Sequence, residues 1–381
     1  MAEVYIKLDE ICEMNINLII GSGASYGLFP TLSIGMLKGK TQHTIETIAT
    51  EIEQTDSKVK PRILALLFMY YYETCIKPIS KLDLAKLSEP EQEVIENYSK
   101  LLNTLLVVLR KKQSSNKRCN LFTTNYDGCI PFAADKILKK GQTEFVINDG
   151  TRGFRTKYLQ ARYFNSYLRQ TGVFGDKHHD LSQINLINLH GSAYWSKENE
   201  SIVVNYNKPI DSEIEIDEKV LSEFSELLNS AATTFEVLEH YANKMKPNFD
   251  EKVSNFFKKY NSLPIVNPTK WKFHETVFEE HYYQMLRAMS YELEKPNSIF
   301  ITFGFSFADE HILNLVKRSL SNPSLQLFVC CFNAQELEIM EQKFIGHDNV
   351  QYITSDNGNL DFKTFNEITF SLNPQPVPEL E

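Results

Sequence analysis

No run of apolar residues in the first third of the chain is long enough to cross a bilayer. The most apolar, residues 63–72, is ten residues, about half of a spanning helix. The first residues, Met-Ala-Glu-Val-Tyr-Ile-Lys, have neither the basic head nor the apolar core of a secretory leader. Both absences lead to the expectation of a cytoplasmic protein with no membrane contact. Cysteine is sparse and poorly spaced for metal: Cys12, Cys75, Cys119, Cys129, Cys330 and Cys331 contain no C-x-x-C pair. That spacing argues against a zinc ribbon, predicts no metal site, and leaves reduced thiols as the expectation. Repeats and low-complexity blocks are missing too. Positive charge is outweighed, with a formal net charge of −9. Such a balance argues against a protein that coats nucleic acid and predicts no direct nucleic-acid binding, although it does not exclude a local basic patch.

What is there is the composition of a soluble protein of 381 residues, 42% apolar and 23% charged, with material for two or three lobes. Residues 16–27, Ile-Asn-Leu-Ile-Ile-Gly-Ser-Gly-Ala-Ser-Tyr-Gly, run from an apolar strand into a glycine-rich turn that should open a helix. Such a turn presents backbone N–H groups to a phosphate. The spacing departs from the dinucleotide fingerprint, because the third glycine slot is Tyr26. Further continuous apolar runs lie near 119–123, 184–189, 298–303, 325–332 and 350–354, with helical patterns at 91–111, 309–320 and 334–344. Strands alternating with helices predict an α/β fold: a Rossmann-like, doubly wound parallel sheet built from 1–58, 113–211 and 261–381. Residues 59–112 and 212–260 read as helical insertions forming a lobe, and the proline-bearing end from Asn373 reads as frayed.

Polar residues collect where the strands should end, the edge at which open parallel sheets bind ligands. Phe-Thr-Thr-Asn-Tyr-Asp places Thr124, Asn125 and Asp127 there; the same residues would also serve as an Asx turn closing the strand. Asn-Leu-His-Gly-Ser places His190 at a second strand end, as a proton acceptor or as a satisfied structural imidazole. His178 and His179 read as residues of a solvated loop. Gly304-Phe-Ser306 offers a small hydroxyl, followed by Asp309 as a helix cap, and Asn333 ends a further strand. If the sheet is parallel, these termini converge on one crevice.

Taken in order, Gly21-Ser-Gly-Ala-Ser25, Thr124-Asn125-Tyr126-Asp127, His190-Gly191, Gly304-Phe-Ser306 and Asn333 resemble the signature set of the sirtuins. The resemblance implies that Gly21, Ser22, Gly23, Ala24 and Ser25 hold the pyrophosphate of NAD, and that Asn125 and Asp127, with Thr124 beside them, line the nicotinamide–ribose pocket. It further implies that His190 is the base acting on the ribose, and that Gly304, Ser306 and Asn333 hold the adenosine half. Three departures matter. The paired zinc cysteines of deacylating sirtuins are missing, Thr124 stands where those enzymes carry Gln, and Leu28-Phe-Pro-Thr31 replaces their Pro-Asp-Phe-Arg. What remains is similar to the sirtuin-like domains of bacterial anti-phage systems that destroy NAD. Within these it looks like the standalone kind that forms an oligomer and assembles with a HerA-type ring ATPase. The implied activity is NAD glycohydrolysis, with NAD as substrate; the rival readings are an NAD-dependent deacylase or ADP-ribosyl transferase, and a sensor that binds NAD or ADP-ribose without turnover.

Overall fold

A computed structural model of the chain describes residues 5–39, 41–113, 116–141, 143–172, 175–209, 214, 216–267, 276–355 and 358–372. Its centre is a sheet of seven parallel strands: β1 (Asn15–Ile20), β2 (Arg118–Thr123), β3 (Phe145–Asn148), β4 (Ser182–Asn188), β5 (Ser298–Phe303), β6 (Leu325–Cys330) and β7 (Val350–Ile353). The spatial order is β7-β6-β5-β1-β2-β4-β3. Every residue of β2, β4 and β5 is buried, which is why apolar residues occur on both faces of these strands instead of alternating with polar ones. The chain winds from β1 toward β2 on one side and later starts β5 on the other, so β1 and β5 are neighbours at the point where winding reverses.

Alternate residues of the strands feed opposite layers. Ile16, Leu18 and Ile20 pack with Leu101 and Leu105 of helix 89–111 and with Ala133 and Ile137 of helix 129–139. Ile19, Phe122, Ile187 and Phe300 pack with Met285 and Met289 of helix 276–293, Ile312 and Val316 of helix 310–319, and Met340 of helix 334–343. A third apolar cluster joins helices 45–54, 60–71, 218–228, 235–243 and 249–260. Helix 89–111 belongs to the sheet layer, so the packing divides the segment 59–112 between two clusters.

A row of asparagines crosses the sheet. Asn17, Asn120, Asn185 and Asn148 sit at paired positions on four adjacent strands. Their amides bond in series, at 2.8 Å from Asn120 to Asn17, 2.9 Å from Asn185 to Asn120 and 3.1 Å from Asn148 to Asn185. In a buried sheet this series holds only at one register, because a slip of one residue would strand each amide in an apolar layer.

A second, four-stranded antiparallel sheet takes the order Trp195–Glu198, Ser201–Val204, Lys157–Leu159, Thr151–Arg152. Strands Arg169–Gly172 and Gly175–Asp180 pair with each other, so His178 and His179 lie in a hairpin rather than a loop, exposed as expected. Among the described residues no helix is long and apolar enough to cross a membrane. The end from Asn373 lies outside the described residues.

Candidate functional site

The glycine turn does not open a regular helix. Ser22–Ser25 form a single 3-10 turn, and the next α-helix is Ile45–Gln54. The glycines serve loop-to-loop packing. A Cβ on Gly21 would overlap the Gly304 carbonyl, and one on Gly23 would come within 2.8 Å of the Gly304 Cα. Gly304 has φ +61° and its own Cβ would meet the Ala24 nitrogen at 2.6 Å, so only glycine fits there. The Gly21 amide donates to the Phe303 carbonyl at 3.0 Å and the Gly23 amide to the Gly304 carbonyl at 3.0 Å. The ends of β1 and β5 are thereby stitched together at the switch point.

Strand β2 ends at Thr123, so Asn125 and Asp127 bracket a turn. Thr123 Oγ1 donates to the Ile20 carbonyl (2.9 Å) and accepts from the Asn125 amide N–H (3.0 Å), which ties the turn to β1. The Asn125 side-chain nitrogen donates to the Gly21 carbonyl at 3.1 Å and to Ser25 Oγ at 3.2 Å. Ser25 gives its proton to Asp127 Oδ2 at 2.7 Å, so the Tyr98 hydroxyl, 2.8 Å away, donates to Ser25. Asp127 Oδ1 accepts from the Cys129 amide at 3.0 Å, at the start of helix 129–139. Burial pushes the Asp127 carboxyl above its ordinary value, against the hydrogen bonds from Ser25 and Cys129. Ser25 and Asp127 therefore act as struts for Asn125. The Asn125 Oδ1 atom is buried and has no hydrogen-bond partner among the described residues.

His190 follows β4, and its position is set from both sides. Its carbonyl accepts from the Val266 amide at 2.9 Å, and Gly191 has φ +85° where a Cβ would overlap the Pro264 carbonyl. Its Nε2 lies 3.0 Å from Asp309 Oδ2, with both side chains buried. The other oxygen of Asp309 accepts from the amides of His311 (2.8 Å) and Ile312 (3.2 Å) at the start of helix 310–319. A carboxylate facing Nε2 keeps the proton on that nitrogen and makes Nδ1 the basic one.

These groups meet in one pocket of about 330 Å³, lined by Ser22, Ser25, Thr124, Asn125, Asp127, His190, Gly304 and Ser306 among others; ligand sites run from about 300 to 1,000 Å³. Asn333 is not among its lining residues: it caps helix 334–343, its side chain accepting from the Glu336 amide at 2.9 Å. Asn333 is thus a helix cap on the same sheet edge, outside the pocket. The pocket also takes Glu46, Thr47 and Thr50 from helix 45–54, and Cys75 and Ile79 from the segment after helix 60–71. Those residues carry no sequence signal of their own, because they arrive from the helical cluster. Asp309 had a signal, as a cap, but not as the partner of His190. Lys343 donates to the carbonyls of Ser306 (2.7 Å) and Phe307 (3.0 Å), holding the loop that carries Ser306. The described lining contains the carboxylates of Glu46, Asp127, Asp309 and Glu310 and neither Lys nor Arg, so it favours a cationic or neutral polar group over a bare phosphate. The sheet that builds this pocket is α/β and Rossmann-like, but no protein-family model matches the chain, and no curated protein matches it either.

Proposed function

We propose that the chain hydrolyses the nicotinamide–ribose bond of NAD, giving nicotinamide and ADP-ribose. The observation that carries this reading is the meeting of Asn125 and His190, from the ends of adjacent strands, in one pocket. The C1′–N1 bond breaks with its electron pair moving to the pyridinium nitrogen, so nicotinamide leaves neutral and no acid is needed. Positive charge develops on the ribose, and the carboxylates of Glu46, Asp127, Asp309 and Glu310 around the pocket stabilise it. Asn125 offers Oδ1 to a ribose hydroxyl or to the attacking water, while its nitrogen is held by Gly21 and Ser25. His190 takes the proton from water at C1′, and Asp309 stabilises the imidazolium that results. Ser22 and Ser306 offer hydroxyls toward the phosphates.

In this reading the helical cluster is an inserted lobe that covers the pocket with helix 45–54. The protein acts in the cytoplasm as an oligomer beside a HerA-type ring ATPase, removing NAD during phage infection. The test is a time course of NAD with the purified protein, alone and with such an ATPase. Nicotinamide and ADP-ribose are expected to accumulate one for one with the native chain and not with Asn125→Ala or His190→Ala. A thermal shift with NAD but no turnover in either condition would make the protein a sensor and overturn the proposal. Product that appears only with an acyl-peptide or a protein acceptor would make it a deacylase or transferase.

A further inference from the structure

The larger concavity of the molecule lies away from the sheet edge. It is a cleft of about 1480 Å³ between the four-stranded sheet and helices 218–228 and 249–260, and its lining includes Lys197, Lys208, Lys252, Lys258 and Lys259. Asp217 is the one acidic residue among the described lining residues and pairs with Lys252 at 3.1 Å. This cleft continues onto the outer face of the small sheet. Ser196 pairs with Val203, Val203 with Tyr158, and Tyr158 with Arg152. Directly paired residues share a face, so one row runs from the cleft wall, which Ser196 and Val203 line, to Tyr158 and Arg152 at the sheet's far edge.

The chain around that edge is basic. Between Asp149 and Asp176 the sequence holds no acidic residue but carries Arg152, Arg155, Lys157, Arg162 and Arg169, in a chain whose net charge is −9. Arg152 and Arg162 lie 5.1 and 5.2 Å from the ring centre of Tyr163, which gathers the two guanidinium groups at one spot. None of Arg152, Arg155, Lys157 and Arg162 forms an ion pair among the described residues. Phe154, at the tip of the turn between the two strands, is fully exposed at 105%, and Tyr158 at 38%. Burial explains neither ring.

We propose that this face and the lysine cleft form a docking surface for single-stranded nucleic acid. Regular positive charge along a groove tracks a phosphate backbone, and exposed rings stack unpaired bases of any sequence. Charge alone would equally suit an acidic protein surface. The interleaved rings of Phe154 and Tyr158, with the guanidinium groups of Arg152 and Arg155 among the charges beside them, favour bases. The proposal stands independently of NAD hydrolysis, because none of its residues lines the sheet-edge pocket.

Fluorescence anisotropy with a labelled single strand of about 20 nucleotides, DNA and RNA in turn, tests it, because a strand of that length spans several stacking platforms. The native chain is expected to bind, with affinity falling steeply between about 50 and about 200 mM salt. Phe154→Ala should weaken binding at least about fivefold. Arg155→Glu and Lys258→Glu should each weaken it about tenfold and flatten the salt dependence by about one counterion. Melting curves matching the native chain are expected for all three variants, since their side chains are exposed. No binding at the lower salt would overturn the proposal. So would variants that bind as tightly as the native chain, or a poly-glutamate peptide binding as tightly as the oligonucleotides, which would assign the surface to an acidic protein.

Discussion

The sheet-edge pocket and the lysine cleft are built from opposite materials. The sheet-edge pocket is small, at about 330 Å³, lined by carboxylates, and held by side chains that bond to one another before any ligand arrives. The cleft is several times larger, at about 1480 Å³, with lysines at its rim, and the row that leaves it ends in exposed rings. The first suits chemistry on one bond, since preorganised groups need no rearrangement as charge develops. The second suits contact with something long and anionic, since exposed lysines supply attraction without fixed geometry. The two regions thus differ less by size than by their polar groups: a network of buried donors and acceptors in the first, exposed charge in the second.

If that division is right, single substitutions should separate the two regions. The largest effect is expected from His190→Ala, which should lower nicotinamide release by about 10²–10⁴-fold, the usual contribution of a positioned base. Lys258→Glu, in the same assay, should leave the rate unchanged. A cleft variant that also abolishes turnover would join the two regions into one site. Gly304→Ala attacks the pocket through the backbone. A side chain at φ +61° that overlaps the Ala24 nitrogen should cost about 3 kcal/mol. Thermal unfolding reads this directly.

The wall of the cleft is expected to respond to acid. His281 packs edge-on against Trp195 with ring centres 4.9 Å apart, and burial pulls its pKa down from 6.5 to about 4. The folded chain keeps this ring neutral, whereas the unfolded chain takes up a proton first as pH falls. Stability is therefore complete above about pH 6.5 and declines toward about pH 4, by about 3 kcal/mol for a shift of this size. His281→Phe should flatten that decline in melts taken across the range. The smallest effect is expected from Asp309→Asn, because Asn caps a helix about as well as Asp. Melting should hold, while the rate falls about 10–100-fold through loss of the carboxylate beside Nε2, with KM nearly unchanged. On a His190→Ala background the same change should do nothing more.

Much of the main sheet was legible because a strand in the middle of a covered sheet carries apolar residues on both faces. Six of the seven strands show such an apolar run in the sequence. The exception is β3, four residues at the edge, too short to stand out from a loop. The small antiparallel sheet escaped for the same reason, its strands being two to four residues long. The helix expected from the glycine-rich turn is a single 3-10 turn, because the glycines sit where two loops touch. The capping role of Asn333 also had a signal: an Asx residue three places before Glu336 is a helix start.

In the pocket, Asn125, Asp127, His190 and Ser306 were visible as polar residues closing apolar strands. Glu46, Thr50 and Cys75 were not, because nothing local distinguishes them from other residues of amphipathic helices. The asparagine row lies between these cases. Asn17, Asn120 and Asn185 stand out as polar residues inside apolar runs, but only the register of four strands shows that they bond to one another.

Local order thus determined which segments become the longer strands of the main sheet, which edge of that sheet is polar, and which turns need glycine, because hydropathy, chain direction and φ are properties of short stretches. Tertiary structure decided which of those polar residues become partners. The His190–Asp309 pair joins positions 119 residues apart, and the cleft joins a β-hairpin to a helical cluster. Such meetings depend on how layers stack and in which register strands lie, and that is set by the packing of the whole core rather than by any one segment.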